Sequence, residues 1–120
     1  MPTIENPTTR AWLLSPLRRS VKTLRESIEK FDPKKDDSLD NVCIDSRSAY
    51  TAYLSLVANF EETRSVTARS LVKESTQQIW AVLNDALGKL PEGSEHRSSV
   101  SAKIVDLRIY AKEHFGIDLA

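Results

Sequence analysis

The feature that most constrains the fold is a long run without residues that break helices. Residues 44–87 contain neither glycine nor proline, the two residue types that most often end a helix or form a turn. The whole chain holds only three glycines, too few for the many positive-φ turns of a β-sandwich or β-barrel. The sequence therefore predicts an all-α protein.

The clearest predicted helix lies in the first third of the chain and carries a narrow apolar stripe. Its members recur at intervals of three and four residues, which places them on one side of an α-helix. They are Leu14, Leu17, Val21, Leu24, Ile28 and Phe31. Ser15 and Pro16 are suited to the N-cap and the first helical position, and Asp32-Pro33 is expected to end the helix. We therefore predict a flexible lead-in over residues 1–14 and a single domain over residues 15–120.

The middle of the chain predicts one or two further helices. The charged stretch 34–42 is expected to form a loop, so that the next helix begins at Asp45 or Ser46. A Ser/Thr-rich centre lowers helix propensity and offers capping side chains. It favours two helices, over roughly residues 45–62 and 65–90, and one continuous central helix is the alternative.

The last helix is expected to run from about Glu95 to Phe115. Pro91 and Gly93 form the turn before it, and Gly116 has the residue type that closes a helix in the left-handed conformation. Short connections favour antiparallel neighbours. The predicted architecture is an antiparallel bundle of three to four helices.

Residues that could carry chemistry are few and scattered. His96 and His114 lack a second ligand at helical spacing and are interpreted as surface histidines. Cys43 lies in an apolar triplet and is expected to pack as a small hydrophobic residue. Glycine-rich phosphate loops and nucleophile elbows are absent from the sequence. We therefore predict that the protein is not an enzyme and has no catalytic site, metal site or cofactor.

The charges cancel over the whole chain but not locally. Residues 10–35 hold eight basic and three acidic residues, whereas residues 36–62 hold six acidic and one basic residue. The favoured interpretation is that a basic first helix packs antiparallel to an acidic second helix, with charges pairing at the rim. In the alternatives, the first helix lies on an anionic membrane or binds nucleic-acid phosphates. The residues expected to contact phosphates are Arg18, Arg19, Lys22 and Arg25.

The function expected from this pattern is association with other proteins, as an oligomerisation, scaffold or adaptor module. A narrow stripe of this kind suits a coiled-coil-like seam, used within one chain or between chains. The candidate interface residues are Trp12, Leu14, Leu17, Val21, Leu24, Ile28 and Phe31. The expected partner is a second copy or another helical protein, with a homo-oligomer favoured and nucleic acid as the alternative.

The sequence also predicts an intracellular protein, cytoplasmic or nuclear. Cys43 is the only cysteine, so a disulfide framework typical of secreted domains cannot form within the chain. The first nine residues lack an apolar signal core. No stretch approaches the roughly 20 apolar residues that a membrane span needs. We therefore expect neither secretion nor a transmembrane helix.

Overall fold

Four α-helices make up the described part of the protein. The computed structural model covers the backbone of residues 7–119 and the side chains of residues 14–35 and 37–119. The helices are α1 (Pro7–Glu29), α2 (Asp36–Thr63), α3 (Val66–Leu87) and α4 (Glu95–Phe115). They pack against one another, which confirms the predicted all-α bundle. Within residues 7–119, none of these helices combines the length and apolar content needed to cross a membrane.

Contacts between side chains establish how the helices are arranged. At the α1–α2 connection the Asp32 backbone N–H donates to Ser38 Oγ over 3.3 Å. Farther along the pair, the Ser27 hydroxyl donates to the Asp45 carboxylate, so α1 and α2 run antiparallel. Both α1 and α4 pack on α2 and α3, and among the described residues α1 and α4 do not contact each other. The α2–α3 hairpin is therefore central, and α4 forms one edge of the bundle.

The first helix begins earlier than the sequence predicted. It starts at Pro7 and continues through Pro16, so Ser15 is inside the helix rather than its N-cap, and residues 7–14, predicted as a lead-in, have helical backbone. Residues 1–6 lie outside the described residues. Pro16 removes one backbone donor from the helix, and its ring crowds the carbonyl four residues earlier. The helical turn before Pro16 contributes an apolar contact, because Leu14 packs against the core.

The second helix also begins earlier than predicted, at Asp36 rather than at Asp45 or Ser46. Two physical reasons explain why this charged stretch is helical. An acidic residue such as Asp37 in the first turn interacts favourably with the positive end of the helix dipole. In addition, Val42 is fully buried and Leu39 packs against the core, so the stretch contributes apolar contacts.

The break between α2 and α3 confirms the preference for two helices over one rod. Arg64 adopts the left-handed conformation, with φ of 55°, and its N–H donates to the Phe60 carbonyl to close α2. Ser65 then caps α3 by accepting a hydrogen bond from the Ala68 N–H over 2.9 Å. The chain reverses within two residues, which lets α3 pack antiparallel on α2.

Candidate functional site

The predicted interface stripe on α1 lies inside the protein's own core. Leu17, Val21 and Leu24 are 1%, 4% and 0% exposed. The other described members, Leu14, Ile28 and Phe31, are partly buried and pack against the same core. The side chain of Trp12 lies outside the described residues. In this fold the stripe is used within the chain, so a partner would need to bind elsewhere.

The predicted phosphate-binding residues lie on the opposite, exposed face of α1. Arg18, Arg19, Lys22 and Arg25 all remain at the surface. Arg25 pairs with Asp85 of α3 over 3.6 Å. Among the described residues α1 forms no ion pair with α2, so the expected pairing of charges along the α1–α2 rim is not seen. The packing of α1 on α2 instead rests on apolar contacts and on the Ser27–Asp45 hydrogen bond.

The candidate chemical residues are separated from one another. His96 contacts Asp40 over 2.9 Å at the partly exposed start of α4. The exposed His114 stacks on Tyr110 with ring centroids 4.2 Å apart, and Cys43 is buried as a free thiol. Within the described part of the chain, no group of three or more histidine, cysteine or carboxylate side chains could hold a metal ion.

The helix α4 carries apolar residues on two opposite faces. One face packs on α2 and α3 and comprises Val100, Ile104, Leu107 and Ala111. The other face points to solvent and presents Ala102, Val105 and Ile109 at helical spacing; we call these three residues the outer stripe. Val105 and Ile109 remain 49% and 52% exposed. Half-exposed β-branched side chains in a row leave apolar area that a partner could bury.

Shallow grooves follow the outer stripe along the length of α4. One, of about 650 Å³, lies between α4 and the C-terminal segment and is lined by Val105, Arg108, Ile109, Lys112, Glu113, Ile117, Asp118 and Leu119. A second, of about 470 Å³, extends from Gly93 towards the same Val105. Because Val105 lines both, the two grooves form one path along the helix. The larger groove combines apolar side chains with charged edges, as helix-binding surfaces do.

The C-terminal segment forms one wall of the larger groove because α4 ends in a defined cap. Gly116 takes φ of 65°, and the Ile117 N–H donates to the Ala111 carbonyl over 3.3 Å. This Schellman-type geometry turns the chain back towards the bundle. Leu119 is then buried in the core, and Lys112 pairs with Asp118 over 3.0 Å across the turn. The wall is therefore held by both apolar and polar contacts.

An aromatic–arginine cluster fixes the same end of α4 against the α2–α3 turn. The Arg69 guanidinium lies 5.0 Å from the centre of the Phe115 ring and donates to the His114 carbonyl over 3.3 Å. Phe115 also packs edge-on against Tyr110. Burial, followed by the nearby Glu61 carboxylate, raises the pKa of Tyr110 above its ordinary value. Cation–π and aromatic contacts of this kind add to area burial, so the cluster holds α4 in place.

The outer stripe is the surface that sequence reasoning missed. Ile109 lies on the outer face of α4 beside Val105, and both are exposed. The signal was available, because Ala102, Val105 and Ile109 are spaced by three and four residues. A helix with two apolar stripes at opposite angles loses a clear polar side, so its pattern resembles one broad buried face.

Comparison with known proteins adds no relative for this chain. No protein-family model, no curated protein and no solved structure matches it. Functional interpretation therefore rests on the surfaces described above.

Proposed function

We propose that this chain is a non-enzymatic helical interaction module that binds a partner helix along the outer stripe of α4. The observation that carries the proposal is the solvent-facing position of Val105 and Ile109 on a helix whose opposite face is already packed. Among the described residues, none covers this second face of α4, which leaves Val105 and Ile109 about half exposed. The role fits an oligomerisation, scaffold or adaptor element, and helix-in-groove recognition uses residues at this spacing.

The environment proposed for this module is intracellular. Cys43 is the only cysteine and is buried as a free thiol, so the described fold is held without a disulfide. Secreted domains of modest size commonly depend on disulfides. This supports, as part of the proposal, a cytoplasmic or nuclear setting.

Nucleic-acid binding is the second candidate function, and the exposed basic face of α1 supports it. Arg18, Arg19 and Lys22 project from a helix that α4 does not cover. Phosphate binding through such residues weakens steeply as salt concentration rises, because counterions are released on binding. Filter binding to duplex and single-stranded nucleic acid at low and moderate salt tests this candidate. Steep salt dependence that is lost when Arg18 and Lys22 are replaced by glutamate would support it.

A matched pair of variants tests the proposed interaction surface. Ile109→Asp places a charge in the outer stripe, whereas Ile44→Asp places the same charge at an equally exposed apolar residue of α2, 54% exposed. Light scattering should show an assembly that is lost in Ile109→Asp and retained in Ile44→Asp. Both variants should keep the helical circular dichroism of the wild type, because both sites are exposed. Equal loss in both variants, or no effect of Ile109→Asp, would contradict the proposed surface.

A further inference from the structure

The edges of the outer stripe carry charges in an order that constrains its partner. Arg108 and Glu113 both line the larger groove. The 3.6-residue period of the helix puts Arg108 on one side of the stripe and Glu113 on the other. The same period puts Ser101 on the Arg108 side and Asp106 on the Glu113 side. One edge of the stripe is thus basic or neutral, and the other edge is acidic.

In heptad terms, Ala102 and Ile109 occupy a positions, and Val105 occupies a d position. Arg108 then falls at g and Glu113 at the following e. In two parallel helices, each g residue faces the e residue five positions later on the partner, and such pairs set partner choice and orientation. Arg108 would therefore face the partner's Glu113, and Ser101 would face the partner's Asp106. Twofold symmetry would form each of these pairs twice.

An antiparallel pairing of the same helix would be disfavoured by the same charges. In that orientation g residues face g residues and e residues face e residues. Arg108 would then approach the partner's Arg108, and Asp106 would approach the partner's Asp106. Like charges in such positions repel. The charge order on α4 therefore distinguishes between the two orientations and favours the parallel one.

Two further features make the stripe compatible with a second copy of itself. Lys112 occupies the next d position, where it would meet its own symmetry mate, but its amino group is paired with Asp118 over 3.0 Å. The intramolecular ion pair neutralises this charge and holds it towards the C-terminal segment. Towards the start of α4 the outer stripe ends in Ala102, and Ser98 lies one turn before it. Both residues are small and exposed, which allows two helices to approach closely.

We infer that the occupant of the outer stripe is a second copy of this chain, packed parallel and in register, with Arg108 paired to the partner's Glu113. This inference rests on the proposed function and names its partner. A contact along one helix of 21 residues is only about 30 Å long. We therefore expect it to bury less surface than the roughly 800 Å² per partner that is typical of stable complexes. The dimer should therefore be reversible, with a Kd in the micromolar range.

Charge reversal tests the pairing. Arg108→Glu and Glu113→Arg should each weaken the dimer about tenfold, because two attractive pairs become repulsive. The double variant carrying both changes should restore the wild-type Kd to within about threefold, since the exchanged charges attract again. Arg18→Glu, an exposed change on α1, is the control and should leave the Kd unchanged. Sedimentation equilibrium provides the Kd of each variant.

Cysteine cross-linking tests the orientation separately. Parallel, in-register packing places Val105 beside the partner's Val105, so the Val105→Cys variant should form an interchain disulfide within one sample. The native Cys43 is 4% exposed and should not compete. Antiparallel packing would instead cross-link a mixture of the Val105→Cys and Ile109→Cys variants.

The outcomes separate the inference from the proposed function on which it rests. An assembly that is lost in Ile109→Asp, but shows no rescue in the double variant and cross-links only in the mixture, would overturn the parallel pairing and leave the proposed surface standing. An assembly that is insensitive to Ile109→Asp would overturn both.

Discussion

The Tyr53 hydroxyl lies 2.6 Å from Thr76 Oγ1, and this contact joins α2 to α3 in the middle of the core. Thr76 Oγ1 in turn donates to the Val72 carbonyl over 2.7 Å. Because its proton is used there, the threonine oxygen accepts from Tyr53. Two consecutive hydrogen bonds therefore link a side chain of α2 to the backbone of α3 within the central hairpin.

The two ends of this hydrogen bond should differ in their contribution to stability. Tyr53→Phe leaves Thr76 bonded to Val72 and should lower the free energy of unfolding by about 1 kcal/mol. Thr76→Val strands the Tyr53 hydroxyl in the core and should cost more, about 1–3 kcal/mol. The double variant should lose less than the sum of the two. Urea unfolding of the four proteins measures these values, and additive losses would contradict a direct bond.

The stability of the protein should fall at alkaline pH. Burial raises the pKa of Tyr53 above its ordinary value of 10.0. Burial also raises the pKa values of Tyr50 and Tyr110. A group with a folded pKa above its unfolded pKa contributes stability that is complete below the unfolded value and is lost at higher pH.

The free energy of unfolding should accordingly decline as the pH rises past about 10. Tyr53→Phe removes the group with the largest shift and should make the decline shallower. Urea titrations between pH 8 and pH 11 compare the wild type with Tyr53→Phe. Lys22→Ala, on the exposed face of α1, is the surface control. A decline of equal slope in the wild type and in Tyr53→Phe would contradict a titrating core tyrosine.

The α1 stripe should contribute to folding rather than to association. Leu24 is fully buried, and truncating a buried leucine to alanine costs about 2–5 kcal/mol. Leu24→Ala should show this loss at every protein concentration, because its contacts lie within one chain. A loss that appears only at low concentration, where an assembly dissociates, would show instead that the stripe is covered by another chain.

Local sequence signals predicted the parts of the fold that depend on local chemistry. The left-handed conformation of Gly116 and the last helix, Glu95–Phe115, were both predicted from residue types at a helix end. Helix starts were predicted less well. Asp36 begins α2 inside a stretch that was interpreted as a loop, because acidic residues suit both solvent and the first turn of a helix.

The candidate site was harder to predict than the fold, because exposure depends on tertiary packing. Leu24 and Ile109 are both apolar residues in regular helical patterns, yet one is fully buried and the other is half exposed. The difference arises because α1 packs its apolar stripe on the central hairpin, whereas α4 packs only one of its two stripes there. Only the arrangement of the helices shows which stripe remains without a partner.

The mass of the wild-type protein in solution tests the central claim most directly. Light scattering after size-exclusion chromatography, over a range of concentrations at low and high salt, provides it. Apolar contacts along the outer stripe predict a reversible dimer, twice the 13.5 kDa of the chain, that persists at high salt with at most modest weakening by screening of Arg108 and Glu113. A 13.5 kDa monomer at every concentration and both salt levels would contradict self-association through α4.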